Sequence, residues 1–511
     1  MEPFDVAVID SGGSMKSKEE CVVAGGGPAG LEVAALLSKL KPELEPVLFE
    51  KEPVVGGRAK TYCINGFWMD HGQHYTILFG EAAAGWPQFF PQPKCAELTG
   101  ANLVYRSVEP GGVAYMHPAF PGEEINQNRM CPLTSAFDGE LVKRLFPYVD
   151  DVTLKECEGH CQALLNEMPE TYLPAVMAGF DDRKVKQVSV DEWLQARSPS
   201  TFAARYMKTM MATNAAVPVE DLGNCNIYGM AAMFIGLNID LIRYAHPVNP
   251  KPPKYGTWAA EVLAFRDVIL KSNGRIFTGT PVRRILIENG KVKGVVVEHE
   301  GIDQHIETDL VICDIPPHQA LDDGILEERE MPEEWVKGIR NTAAMEKDYY
   351  STGYVMASFC LDKPLAKGTF WTIVLDDEGK MVGSLETQRT PESAPPGKQI
   401  LSIMRWFRLG KVKMNMKIAQ EVVNGLLLPH LRLHWKDFDD HVEYCLIHFH
   451  PYVWDQVLIY NPEAYTTPID VPGVDGLYYV GSWTHAGFIL TSKCADSALK
   501  CAELILGKKL G

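Results

Sequence analysis

The chain has 511 residues, 46% of them hydrophobic and 23% charged, with a formal net charge of −17. That length accommodates two or three domains around a large core, and the composition excludes global disorder. The acidic balance argues against nucleic acid as a partner and against broad electrostatic attachment to anionic lipid.

Residues 1–20, with Ser11-Gly12-Gly13-Ser14 and then Lys16 to Glu20, read as a poorly ordered leader without the Arg-rich character of a transit peptide. Cys21 to Ala24 is a short apolar run of the kind expected for a buried parallel strand. It runs into Gly25-Gly26-Gly27-Pro28-Ala29-Gly30. Gly25 permits a tight turn, Gly27 allows close backbone approach to a pyrophosphate, and Gly30 lets the next helix pack on the sheet. Pro28 and Ala29 open that helix, whose Ala29, Val33, Leu36, Leu37 and Leu40 share one face until Pro42 stops it. Its free N–H groups and positive dipole end suit phosphate. A second strand, Val47 to Phe49, ends at Glu50 beside Lys51, where a carboxylate can accept ribose hydroxyls.

Val55-Gly56-Gly57-Arg58 follows directly. Adjacent glycines let the chain pass close to a cofactor, and Arg58 offers a fixed positive fork to its phosphates. Tyr62 to Asp70 alternates about Asn65-Gly66 and predicts a hairpin. The hairpin delivers His71, Gln73 and His74. Either histidine can serve as general acid or base, or as a hydrogen-bonded structural residue at a strand end.

In the middle of the chain, Leu222 to Ile239 is free of charge but contains Asn224, Asn226, Asn238 and three glycines. It is a poor membrane span and a better buried helix or cavity wall. Tyr228, Met230, Met233, Phe234 and Tyr244, like Tyr349-Tyr350 and Trp371, suit an adaptable apolar cavity or an ordinary core. Cys157 and Cys161 share a helical face, and His448 and His450 share a strand face, but neither pair has further ligands and no metal is expected. Lys398, Arg405, Arg408, Lys411, Lys413 and Lys417 form a local basic excess. It reads as a solvated face, with peripheral membrane contact as the alternative.

Near the C-terminus, Gly476 to Gly481 repeats the strand-into-glycine pattern and leads through Ser482, Trp483 and His485 into a helix at about Leu490 to Leu506. Thr491 and Ser492 are candidate N-caps. Trp483 and His485 are candidate cavity residues, and His485 is also a candidate acid or base. The two glycine elements at opposite ends imply an α/β fold. Its Rossmann half takes its last strand and helix from the C-terminus. Twelve scattered cysteines without a CxxC, and no secretory apolar segment, suit a reducing, cytoplasmic setting.

Several of these motifs together resemble the flavin amine oxidase superfamily. They are Gly25-x-Gly27-x-x-Gly30, Glu50, Val55-Gly56-Gly57-Arg58, Asp70-x-Gly72, Tyr255-Gly256-Thr257-Trp258, Thr280-Pro281-Val282-Arg283, Asn289-Gly290, Asp309 to Ile312 and the C-terminal block. The phytoene desaturase and retinol saturase branch is the nearest in pattern. The resemblance implies FAD, held by a domain assembled from residues 15–78, 255–320 and 470–511. Residues 79–254 and 321–469 would form an α+β substrate domain. It places Val282 beside the adenine through its backbone, and the helix start at Leu490 and Thr491 toward the flavin. Gly481-Ser482 departs from the superfamily's Gly-Asp. A neutral serine bond is weaker than a charge-assisted one, so looser FAD is expected. No second GxGxxG marks a nicotinamide domain. The implied activity is hydride transfer between flavin N5 and an apolar substrate. Oxygen, a quinone or another diffusible acceptor would complete the cycle. The same resemblance leaves open an amine oxidase, a double-bond isomerase, or a non-catalytic escort for prenylated GTPases.

Overall fold

Backbone pairing brings the two ends of the chain into one sheet. The computed structural model describes residues 15–72, 76–79, 90–107, 113–116, 130–131, 149–177, 188–215, 222–224, 227–228, 242–345, 352–365, 371–376, 379–385, 387, 390–408, 414–450, 465–486 and 490–510. Strand β1 (Val22–Ala24) leads into helix α1 (Pro28–Leu40) and strand β2 (Val47–Phe49). A hairpin, β3 (Thr61–Ile64) and β4 (Phe67–Asp70), follows. Helices α2 (Pro91–Thr99) and α3 (Ala259–Lys271) then precede β5 (Arg275–Phe277). Next come β6 (Val282–Glu288), β7 (Lys291–His299), β8 (Ile302–Glu307) and β9 (Val311–Cys313). Three long strands, β10 (Thr352–Leu361), β11 (Gln399–Arg408) and β12 (Val442–His450), precede β13 (Leu477–Tyr479) and helix α4 (Leu490–Leu506).

Five strands form a wholly parallel sheet in the order β5-β2-β1-β9-β13. Val23 pairs with Leu48 on one side and Ile312 on the other, and Ile312 pairs with Tyr478. Parallel strands are covered on both faces, which is why each reads as an unbroken apolar run rather than an alternating one. Val23, Leu48, Ile276 and Ile312 face helices α1, α3 and α4, packing with Leu36, Phe265, Ala498 and Leu499. Val22, Val47, Phe49 and Cys313 face the antiparallel sheet β6-β7-β8, packing with Ile285, Val295 and Val297. The Asn65-Gly66 and Asn289-Gly290 turns have φ of 49° and 82°, and of 52° and 72°, the left-handed pairs that two-residue hairpins require.

The largest sheet among the described residues has seven strands. Its order is β12-β10-β11, then Gly379–Leu385, Trp371–Asp376, Val113–Met116 and Met130–Cys131. Along β10 the odd-numbered Val355, Ala357 and Phe359 pack on the helical segment from Met416 to His434. The even-numbered side includes Cys360, which meets Phe67 and Met69 of the hairpin. That contact holds the end of the hairpin against the second sheet.

Two expectations need correction, and other singled-out residues find their place. Thr491 and Ser492 lie inside α4 rather than capping it, and their hydroxyls bond the Gln92 amide instead. Arg405 is buried on a central strand, with its guanidinium 5.8 Å from the Phe407 ring, so it cannot belong to a solvated basic face. Tyr228 is a core residue whose hydroxyl donates to Glu167 at 2.9 Å. Cys157 and Cys161 are buried on one helix, and Cys161 donates to the Met207 sulfur at 3.5 Å. Met230, Met233, Phe234, Tyr349 and Tyr350 lie outside the described residues, as do the side chains of Tyr244, Trp371, Arg408 and His450. Among the described residues, no helix is long and apolar enough to cross a membrane, and no group of three or more His, Cys, Asp or Glu could hold a metal.

Leu36 is fully buried between α1 and the packed helices. Leu36→Ala is expected to cost about 2–5 kcal/mol of stability, read as a lowered urea midpoint with unchanged slope.

Candidate cofactor and proton-transfer site

The crevice opens at the carboxyl ends of β1, β2 and β9, where an open parallel sheet offers its binding edge. Gly25 has φ of +105°, and its N–H bonds the Phe49 carbonyl at 2.9 Å. A Cβ on Gly30 would lie 2.2 Å from the Gly25 carbonyl oxygen, so only glycine lets α1 start this close to the turn. Glu50 closes β2, accepting N–H bonds from Gly26 at 2.7 Å and Glu52 at 2.8 Å. Burial raises its carboxyl above the ordinary range, and the two N–H donors oppose that shift. Lys51 beside it is exposed. The neighbouring glycine loop is tied to the same turn by the Gly56 N–H, which donates to the Gly26 carbonyl at 2.7 Å.

The C-terminal block meets this cradle directly. Arg58 Nη2 donates to Ser482 Oγ at 3.2 Å, and the Gly481 N–H donates to Ser497 Oγ at 2.8 Å. Asp314, one residue past β9, reaches into the same space and accepts the Gly30 N–H on Oδ2 at 3.0 Å. Its carboxyl lies against three glycines at once. A Cβ on Gly27 would be 2.5 Å from Oδ2, one on Gly30 3.1 Å from Oδ2, and one on Gly481 2.9 Å from Oδ1. Sequence reasoning passed over Asp314, because its position in the crevice follows from strand pairing. Val282 is buried at the start of β6, where the preceding Thr280 N–H bonds the Glu50 carbonyl at 2.8 Å.

Two distant motifs prove to be one contact. Asp70 Oδ1 accepts from Thr61 Oγ1 at 2.9 Å and from the Trp258 N–H at 3.2 Å, anchoring the start of α3 to the hairpin. Trp68 lies edge-on to Tyr255 at 6.0 Å, and a Cβ on Gly256 would meet the Trp68 ring at 2.7 Å.

Beyond Asp70 the chain turns toward the seven-stranded sheet. The His71 N–H bonds the Lys60 carbonyl at 3.0 Å, and the His71 carbonyl accepts the Tyr354 hydroxyl at 2.6 Å. The His71 ring lies 4.7 Å from the ring of His448, tilted by 34°. Tyr62 and Tyr354 flank the pair, with Tyr62 5.8 Å from His71 and Tyr354 6.4 Å from His448. Burial raises the Tyr354 hydroxyl well above its ordinary range, and nearby Arg58 opposes that shift, so the phenol stays protonated. On the flanking strands Met356 pairs with His448 and with Met404, and all three are buried. The result is an imidazole pair in an aromatic and thioether wall.

The other candidates are placed differently. His74 lies outside the described residues. His485 is exposed, and its N–H bonds the Thr467 carbonyl at 2.7 Å. Trp483 packs on His318, with ring centroids 4.8 Å apart, and burial pushes the His318 imidazole down to about 4. That histidine is therefore neutral near pH 7. Leu490 opens α4, and the next residue, Thr491, is held by Gln92.

These residues fit an adenine dinucleotide. The glycine turn admits a backbone-close ligand, α1 points its N-terminus at the crevice, and Glu50 ends the adjacent strand. Arg58 and Ser482 bind the two chain ends together beside that space.

Two family profiles match the chain: an NAD(P)-binding Rossmann-like domain over residues 23–90, and flavin containing amine oxidoreductase over residues 262–506. Solved structures are similar over nearly its whole length. An oxidoreductase from Methanosarcina mazei is 17% identical, with 95% of this chain and 100% of that one covered and a TM-score of 0.58. A putrescine oxidase bound to putrescine is 13% identical over 96% of this chain and 99% of its own, with a TM-score of 0.59. Rab GDI from Plasmodium falciparum is 11% identical over 97% of this chain and 100% of its own, with a TM-score of 0.52. At such identities the likeness establishes the fold. No curated protein sequence matches the chain.

Glu50→Gln removes the negative charge while keeping the shape. FAD affinity is expected to fall by about 1.5–3 kcal/mol, roughly 10- to 150-fold in Kd by flavin fluorescence titration.

Proposed function

We propose that this chain, which matches the flavin containing amine oxidoreductase profile and has a crevice fitted to FAD, moves a hydride between flavin N5 and an apolar substrate, making or removing a carbon–carbon double bond. Bound FAD supplies the hydride acceptor or donor. The chain's own residues bind the substrate, exclude water and move the accompanying proton. The observation that carries this reading is the contact of His71 with His448 at 4.7 Å. Two imidazoles this close resist being charged together, so one can hold a proton while the other accepts one. Tyr62, Tyr354, Met356 and Met404 make the surroundings apolar, as an alkene or terpenoid-like substrate requires. Tyr354 fixes the His71 backbone through its hydroxyl and thereby sets the distance between the rings.

An amine oxidase is the rival that the family profile and the putrescine oxidase likeness keep in view. A cationic amine calls for a carboxylate or an aromatic cage near the reacting carbon, and since the Tyr62 and Tyr354 rings suit an amine as well as an apolar substrate, the carboxylate is the feature that discriminates. The carboxylate nearest His71 in sequence, Asp70, accepts bonds from Thr61 and the Trp258 N–H. Escort duty is disfavoured by the presence together of the glycine turn, Glu50 and Arg58, the set that a dinucleotide uses.

Anaerobic mixing of the FAD-loaded protein with alkenes, reduced terpenoids and primary or secondary amines separates these readings. Bleaching of the flavin band by a hydrocarbon substrate, and not by putrescine, is expected; bleaching by amines alone would replace the proposal. His71→Asn and His448→Asn are each expected to slow that bleaching by about 10²–10⁴-fold while FAD stays bound.

A further inference from the structure

The cofactor crevice contains one group whose charge is wrong for its position. A carboxylate at the N-terminus of α1, among the glycines that make room for a pyrophosphate, competes with phosphate for the same amide and dipole. Asp314 is held there by its backbone, since its N–H donates to the Ala24 carbonyl at 2.8 Å. Its carboxyl then spans from the Gly30 N–H to the glycine of the C-terminal block. We propose that Asp314 is an internal stand-in for the phosphates: in alkaline solution its carboxylate occupies the helix N–H of the FAD-free crevice, and loading of FAD is then coupled to uptake of one proton at Asp314.

The charged and titratable groups around it set the direction. Arg58, on the glycine loop, is the cation that favours the carboxylate, and it is shared with Ser482. Glu50 at the end of β2 and Glu32 on α1 are acids that oppose it, and Cys313 is its neighbour on β9. Asp314 is half-buried, with its carboxyl packed against Gly27, Gly30 and Gly481. Burial pushes it up to about 8, with the Gly30 N–H and Arg58 opposing and Glu50 adding to the shift. Phosphates arriving beside it are a further negative charge and raise it again. On loading above about pH 8, the carboxylate takes one proton from solvent and becomes a neutral acid, whereas below it the acid is already neutral; no other bond forms or breaks. Binding of FAD therefore favours the protonated form and weakens as pH rises above the titration of the free site.

The test uses the full-length protein stripped of FAD and titrated with FAD between pH 6 and 9, in parallel with Asp314→Asn. The amide keeps the acceptor for the Gly30 N–H but cannot ionise. For the wild type, Kd should be flat at low pH and about tenfold weaker at pH 9 than at pH 7. For Asp314→Asn it should stay within about twofold across the range and be tighter than wild type at pH 9. Calorimetry at pH 9 in two buffers of different ionisation heat should give close to one proton taken up by the wild type and none by the variant. Asp314→Ala serves as a second variant should the asparagine fail to fold, with the same expectation. Equal pH dependence in wild type and variant would overturn the proposal. So would weaker FAD binding by the variant at every pH, which would make Asp314 a cofactor ligand. Neither readout involves a substrate, so the result stands apart from the assignment of hydrocarbon chemistry.

Discussion

The structure depends on the parallel pairing of Val22–Ala24 between Val47–Phe49 and Val311–Cys313. Buried backbone amides and carbonyls cannot be left unpaired, so the central strand demands partners on both sides. One of those partners, β9, demands a further strand in turn, and Leu477–Tyr479 from the C-terminal block supplies it. Helix α4 then packs with α1 on the same side of the sheet. A dinucleotide crevice at the carboxyl ends of these strands is thus built from segments far apart in sequence, and it cannot form until the chain has closed on itself.

That closure also decides the electrostatics. Glycine is needed at position 30 because the Gly25 carbonyl sits where a Cβ would go, and the same lack of side chains brings Asp314 within reach of the Gly30 N–H. Arg58 is the counter-charge on the opposite wall, and its bond to Ser482 is neutral on one side. The crevice therefore holds a cation, Arg58, together with an acid, Asp314, at the start of α1.

The second sheet contributes chemistry through register. Strands β10 and β12 pair so that Met356 lies beside His448, and the hairpin β3-β4 docks on the same sheet through Phe67, Met69 and Cys360. His71, immediately after the hairpin, then meets His448 in an apolar wall. Arg405, on the alternate face of β11, is buried instead of displayed, which removes the main support for a continuous basic surface.

The elements legible in the chain alone were those that local physics dictates. Gly25-x-Gly27-x-x-Gly30 is a backbone requirement, Asn65-Gly66 and Asn289-Gly290 supply left-handed conformations, and apolar runs of three residues mark strands buried on both faces. From these the α/β class, the dinucleotide crevice and the role of the C-terminal block could be read. The helix at Leu490 was also legible, but not its caps, because Thr491 and Ser492 are bonded to Gln92 from a separate helix. Neither the contact of His71 with His448 nor the approach of Asp314 to Gly30 has a local signature. Each is set by which strands lie side by side and in what register, a choice made by burial and backbone pairing summed over the whole sheet.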